Sequence, residues 1–413
     1  MRIEKLSEKQ KKIMDFILDE GDALVCDGAV RSGKTIIMIY SFVVWAMEFF
    51  DRTNFAICGK TVTNAERNIL RPLQQIENIP YTMSYKISNR MLTVRLGKRE
   101  NYFYLFGGKD ESSYALIQGL TLAGVLFDEV ALMPQSFVDQ AIARTLSYSN
   151  AKIWFNCNPE SPNHWFYKEW LTNPEKQYKH LHFLMQDNPT LSGKEIKRAE
   201  SLFTGVFYAR YVRGEWVRAE GVVFPEFAAD PSRWIVKREA LPRHYRNVEV
   251  GFDIGGNGSA YALTCTGRGY DGIQYRLKSE KRQAGEMSMD DVERFVREFC
   301  EDCERVYGVD IDMINCDHIA VIVNTIDDNT KYRACLTYKP PVADRVFLYS
   351  RLLASDRLKF VAGMCDDLVD EMRNLVFDER APDARPLDDG SMQIDAYDSG
   401  CYSEAGYWNY IET

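Results

Sequence analysis

Asp27-Gly-Ala-Val-Arg-Ser-Gly-Lys-Thr35 is the stretch that decides the fold. Gly28, four residues, then Gly33-Lys34-Thr35 is the spacing of a phosphate-binding loop. In such a loop the glycines let backbone N–H groups close around phosphates. Lys34 reaches the β and γ oxygens, and the Thr35 hydroxyl ligates Mg²⁺. The surroundings agree with this reading. Ala23-Leu-Val-Cys26 is a short apolar strand running into the loop, and a long apolar helix follows from Lys34. Gly28, Arg31, Ser32, Gly33, Lys34 and Thr35 are therefore expected to bind ATP with Mg²⁺. Gln10, in Leu6-Ser-Glu-Lys-Gln10, is a candidate to read the adenine with its amide.

A phosphate loop needs a second element, an apolar strand ending in an acid that holds the Mg²⁺ water shell. Val125-Leu-Phe-Asp128-Glu129 supplies it. Asp128 would support the metal, and Glu129 would polarise the attacking water as a general base. Arg31, inside the loop, is the candidate to stabilise γ-phosphate charge within the same chain. Arg144, on the next helix, is the weaker candidate for an arginine finger acting on a neighbouring subunit.

Further short apolar segments read as strands: 54–59, 92–96, 102–106, 123–129 and 152–156, with helical segments between several of them. Strands alternating with helices indicate an α/β domain with a mainly parallel sheet. Residues 1–216 are expected to form this phosphate-loop ATPase domain, with lid helices over about 186–216. Residues 217–247 hold three prolines and little periodicity, and are expected to be a linker. A new unit, 248–413, opens with Val248-Glu-Val-Gly-Phe-Asp-Ile254, a tight turn at 255–259, and strands near 261–265 and 272–277. A strong helix over 289–307 and a strand over 311–316 follow. That is the opening order of a ribonuclease H-like fold.

Composition narrows the partners. The 413 residues carry a net charge of −9, and the charge is uneven. Residues 246–413 hold 19 basic and 32 acidic side chains, whereas the first 245 hold 32 and 28. Such a step suggests two domains with different work, and overall acidity argues against a passive DNA-coating protein. No apolar run is long enough for a membrane span and the N-terminal segment lacks a signal-peptide core, so a cytoplasmic protein with reduced cysteines is expected. Cys300-Glu-Asp-Cys303 is a lone pair without a second at zinc-ribbon spacing.

Together these residues resemble the large terminase subunit of tailed double-stranded DNA bacteriophages, and most closely its prophage-type branch. The resemblance runs in the family's order through Ile117–Pro134 around the acidic strand end, Asn158-Pro-Glu-Ser-Pro-Asn-His-Trp165, Asp187-Asn-Pro189 and Tyr211-Val-Arg-Gly-Glu-Trp216. It implies an ATP-driven motor that threads viral double-stranded DNA through a portal into a procapsid, working with a small terminase subunit. It also implies a pentameric ring on the portal, in the host cytoplasm and not retained in the mature virion. Asn156 and Asn158 fall where the family couples hydrolysis to movement.

The resemblance further implies a two-metal nuclease that cuts concatemeric DNA. Such a site needs carboxylates around two Mg²⁺ or Mn²⁺ ions. Asp253 and Asp317, at strand ends, and Asp395, on a late helix, are the expected ligands and catalytic groups. Asp388 and Asp398 are possible additions, and His318 stands beside Asp317. Many relatives carry His three residues before the last Asp, where this chain has Met392. The alternative is a helicase-like DNA-remodelling ATPase without nuclease activity. A helicase, however, needs arginine-bearing motifs in a second RecA-like domain, and the second unit here opens with Phe252-Asp-Ile-Gly instead.

Overall fold

The computed structural model describes residues 5–77, 79–255, 260–283, 287–317, 319–388 and 394–408. The chain forms two compact units, Met1–Glu200 with Val206–Arg218, and Ser201–Gly205 with Ala219–Thr413. No helix among the described residues is long and apolar enough to cross a membrane.

The first unit is built on eight strands: β1 Ala23–Gly28, β2 Asn54–Gly59, β3 Thr82–Lys86, β4 Met91–Leu96, β5 Arg99–Gly107, β6 Gly124–Asp128, β7 Lys152–Asn156 and β8 Lys179–Phe183. Their order across the sheet is β3-β4-β5-β2-β6-β7-β1-β8. The strands from β5 to β8 in that order run parallel, and β3 and β4 extend the sheet as antiparallel additions. Strands β1, β6 and β7 are buried throughout, as parallel strands covered on both faces must be. The helix Lys34–Phe49 is mostly apolar and largely buried. Its Phe42 meets Phe55 and Trp154 at ring separations of 5.8 and 6.0 Å, and Phe16 closes on Trp154 edge-on. Each such ring contributes about 1.5–3 kcal/mol by leaving water.

Two strands were not expected from sequence. β3 alternates between exposed and half-buried positions on the sheet edge, so it lacks an apolar signature. β8 reads Lys-His-Leu-His-Phe, again an edge strand, and its histidines find a partner only in the folded chain.

The second unit has seven strands: β9 Ile235–Val236, β10 Tyr245–Asp253, β11 Ala260–Gly269, β12 Gln274–Gln283, β13 Met313–Cys316, β14 Ala334–Leu336 and β15 Leu358–Val361. The order is β14-β13-β10-β11-β12-β15-β9. An antiparallel β10–β11–β12 meander carries the parallel β13 and β14 on one side, which is the ribonuclease H-like arrangement. The helix Met289–Tyr307 starts at a Ser288 capping box and ends at Gly308 in the left-handed region. Cys300 and Cys303 are both buried on its core side.

From Ala219 on, the stretch expected as a linker is folded into the second unit. Phe227 and Trp234 are buried apolar anchors, and β9 pairs with β15. Prolines and weak periodicity concealed short elements that are held by tertiary packing alone. The expected turn at 255–259 lies largely outside the described residues.

The helix Asp395–Tyr402 lies directly on β10 and β11. Thr264 and Thr266 meet Ser399 and Ser403 through hydroxyl pairs of 2.7 and 2.6 Å. A Cβ on Gly251 would lie 1.8 Å from the Ser399 carbonyl oxygen, so only glycine permits this approach. Gly251→Ala is expected to destabilise the second unit by about 3 kcal/mol or more. Urea unfolding of the two proteins would show it, and an unchanged midpoint would remove the close-approach argument.

Candidate functional site

The nucleotide-type site lies in the first unit, at the carboxyl ends of β1, β6 and β7. Gly28 (φ 123°) turns the chain out of β1, where a Cβ would collide with the Phe183 carbonyl at 2.0 Å. Gly33 (φ 81°) turns it into the helix. Lys34 is buried and folds back over the loop. Its Nζ donates to the carbonyls of Gly28 (3.1 Å) and Ala29 (2.8 Å), to Ser32 Oγ (3.1 Å) and to Asn158 Oδ1 (3.3 Å). Burial lowers its pKa to about 8. An ammonium so held suits an anion of high charge, which would replace these neutral acceptors.

Thr35 Oγ1 lies 3.5 Å from Asp128 Oδ1, and Asn156 Nδ2 donates to both, at 2.8 and 2.5 Å. Burial and the adjoining Glu129 carboxylate push the Asp128 pKa up, and a cation bound beside it would favour the charged form. Asn156 Oδ1 is a buried acceptor without a hydrogen-bond partner among the described residues. A water carried by a divalent ion between Thr35 and Asp128 would supply that hydrogen, so these residues fit Mg²⁺. Glu129 sits in the left-handed region (φ 58°), a conformation that costs a non-glycine residue about 1–2 kcal/mol and collects at functional positions.

A cleft of about 680 Å³ opens over these groups, lined among others by Arg31, Ser32, Lys34, Thr35, Asp128, Glu129, Asn156 and Asn158. Arg31 is exposed, with φ 56°, and its carbonyl accepts from Asn188 Nδ2 at 2.8 Å. Gln10 does not line the cleft. Its amide accepts from Ser7 N (3.0 Å) and donates to the Gly33 carbonyl (3.2 Å), so it braces the loop from outside. Arg144 lies after the helix Gln135–Ala143 and is also absent from the cleft lining. The structure adds Arg67, Asn68, Asn188 and Leu191 to the lining. Asn188 was within reach of sequence as part of the Asp187-Asn-Pro turn. Arg67 carried no spacing signal, because it comes from a single wide helical turn, Glu66–Leu70.

The loop is also clamped from behind. Asp27, 1% exposed, accepts from His180 Nε2 (2.8 Å), His182 Nδ1 (3.0 Å) and Trp216 Nε1 (2.7 Å). Burial opposes its charge, but these donors outweigh it and hold the carboxyl below the usual range. Val30 N donates to the Tyr211 carbonyl, and buried Arg210 joins Glu160 at 2.5 Å. The segment 205–217 is thereby tied to the phosphate loop and to the turn that carries Asn158.

In the second unit Asp253 ends β10, and Asp317 follows the adjacent β13, its N–H donating to the Phe252 carbonyl at 3.0 Å. Asp395 opens the helix packed on the same strands and is buried. Asp398, one turn on, is held by Arg345 Nη1 at 2.7 Å. Burial and the carboxylates of Asp398, Asp317 and Asp395 push the Asp253 pKa up to about 8. The donor chemistry of this cluster, all hard oxygen, fits a divalent cation such as Mg²⁺ or Mn²⁺. In the described residues no group of three His, Cys, Asp or Glu side chains yet converges to hold one, and Lys339 pairs with Asp317 instead. Asp388 is exposed. His318 and Met392 lie outside the described residues. Lys339 and Arg345 were missed from sequence, since neither stands at a spacing that marks a site.

The family model of the terminase large subunit, T4likevirus-type, N-terminal region, matches residues 25–229. The chain is similar to the large terminase of a thermophilic bacteriophage, at 33% identity and a TM-score of 0.86 over 97% of this chain and 99% of that one. Structures of the same thermophilic phage protein in complex with ATP-γ-S and with ADP match at TM-scores of 0.83, with 32% and 33% identity and the same coverage. The comparison with curated proteins returned no match.

Asp27→Asn is expected to cost about 2 kcal/mol by weakening three charge-assisted hydrogen bonds. A carboxyl whose folded pKa is depressed contributes stability that is complete above its unfolded value of about 3.9 and is lost as pH falls through the folded value. The stability gap between wild type and variant should therefore persist down to about pH 4 and shrink below it. Denaturant titrations across that range would show the trend, and a gap that widens on acidification would contradict it.

Proposed function

This chain belongs to the large terminase family, and we propose that it is a packaging motor and nuclease for viral double-stranded DNA. In this reading the first unit hydrolyses ATP to drive DNA through a portal into a procapsid. The second unit cuts concatemeric DNA. The protein works in the host cytoplasm as a ring of copies, a pentamer, with a small terminase subunit. The observation that carries the proposal is the joined set Lys34–Asn158 and Thr35–Asp128–Asn156 at one cleft.

In the ATPase reaction the backbone N–H groups of 32–35 and the Lys34 ammonium hold the triphosphate. Thr35 and Asp128 would hold Mg²⁺, which neutralises charge on the β and γ oxygens. Glu129 takes a proton from the attacking water, and Arg31 is placed to meet charge on the γ-phosphate. Asn156 touches both Thr35 and Asp128, and Asn158 touches Lys34, so a change at the γ-phosphate reaches the turn after β7. Glu160, in that turn, passes it to Arg210 in the helix Gly205–Tyr211. That chain of contacts is the coupling route from hydrolysis to movement.

In the second unit Asp253, Asp317 and Asp395 would hold two Mg²⁺ or Mn²⁺ ions, which activate water and stabilise the departing oxygen. The unit's own fold keeps the three carboxylates on adjacent elements.

Two assays on full-length protein test this reading. Lys34→Ala and Glu129→Gln should each lower ATPase turnover by about 10²-fold or more. Asp253→Ala should remove Mn²⁺-dependent plasmid cleavage while leaving ATPase intact. Cleavage that survives in Asp253→Ala, or ATPase that survives in Lys34→Ala, would sink the corresponding half.

A further inference from the structure

The second site carries two cations of its own beside its carboxylates, and they are fixed in different ways. Arg345 is nearly fully enclosed. Its Nη1 binds Asp398 and its Nε donates to the Pro340 carbonyl at 3.2 Å. Lys339 precedes that proline and is more open, with 32% of its side chain exposed, while its partner Asp317 is 10% exposed. The backbone leading to it is rigid. β14 pairs with β13 up to Leu336 opposite Cys316, and Thr337 N donates to the Cys316 carbonyl at 2.8 Å. Pro340-Pro341 then restricts the chain on the far side of Lys339. The ammonium lies over the Tyr402 ring at 5.0 Å, and the Tyr402 hydroxyl reaches towards Asp398. The Arg345 guanidinium lies over the same ring at 5.7 Å, so one ring contacts both cations.

We propose that Lys339 is a positioning residue of the nuclease site, an internal counter-ion that holds Asp317 until a divalent ion displaces it. This rests on the nuclease reading above and deepens it. Lys339 and the ion compete for the same Asp317 oxygens, so the lysine sets the metal concentration at which the site assembles. It also accounts for carboxylates that are gathered on adjacent elements without converging. Once displaced, the ammonium stays on its rigid backbone at the rim, facing the space where a DNA phosphate must approach. There it is a donor to a phosphate oxygen. In the hydrolysis itself water adds to phosphorus and the bond from phosphorus to the departing sugar oxygen breaks. That oxygen takes a proton from solvent and the attacking water releases one. Lys339 remains protonated and is not consumed.

Mn²⁺ binding to full-length wild type, Lys339→Met and Lys339→Arg, followed by isothermal titration and by the Mn²⁺ paramagnetic resonance signal, tests this directly. Lys339→Met should bind Mn²⁺ about three- to tenfold more tightly, the competitor having gone. Its cleavage rate at saturating Mn²⁺ should fall, and Lys339→Arg should return both values towards wild type. Unchanged or weaker Mn²⁺ binding by Lys339→Met, with thermal unfolding at the wild-type temperature, overturns the proposal alone. Asp253→Ala separates the underlying reading. If wild type shows no Mn²⁺ binding that this substitution removes, the nuclease assignment fails and the proposal with it.

Discussion

A lysine ammonium enclosed at the end of a buried strand must find acceptors, and in this chain the acceptors are the backbone of its own loop. Lys34 bonds the carbonyls of Gly28 and Ala29 and the hydroxyl of Ser32. Those contacts curl the loop around the ammonium at the edge of the cleft. The curl is possible only because Gly28 and Gly33 adopt positive φ. It also requires β1 to be interior, with β7 on one side and β8 on the other. The neighbours then fall into place. β7 brings Asn156 to Thr35 and Asp128, the turn after it brings Asn158 to Lys34, and β8 brings two histidines to Asp27.

The second unit solves the same problem with the sign reversed. Its carboxylates are gathered by strand pairing between β10 and β13 and by the helix that Gly251 admits onto them. Negative charge held at low dielectric raises pKa values and demands cations. Arg345 meets part of that demand permanently and Lys339 part of it from the rim.

Sequence legibility followed locality. The phosphate loop, the acidic strand end and the helix Met289–Tyr307 were readable because each is a contiguous pattern whose spacing carries the physics. Asp253 and Asp317 were readable as strand-end acids whose neighbourhood followed from strand order. β8 was not, since His180 and His182 are intelligible only against Asp27, far away in the chain. Gln10 is a candidate to read the base, and its contact with the loop's backbone depends on how the first helix packs.

The class of each unit and the chemistry available to it follow from order along the chain: glycines, a lysine and a threonine at fixed spacing, then acids at the ends of apolar runs. Those features act through neighbours a few residues away, so order along the chain suffices. The tertiary structure alone decided which groups meet across long separations. It put Asn156 on Thr35 and Asp128, closed 219–247 into the second unit through Phe227, Trp234 and β9, and set Lys339 against Asp317. Such pairings are set by sheet register and by the room a missing side chain leaves, as at Gly251, and neither is a property of any short stretch of sequence.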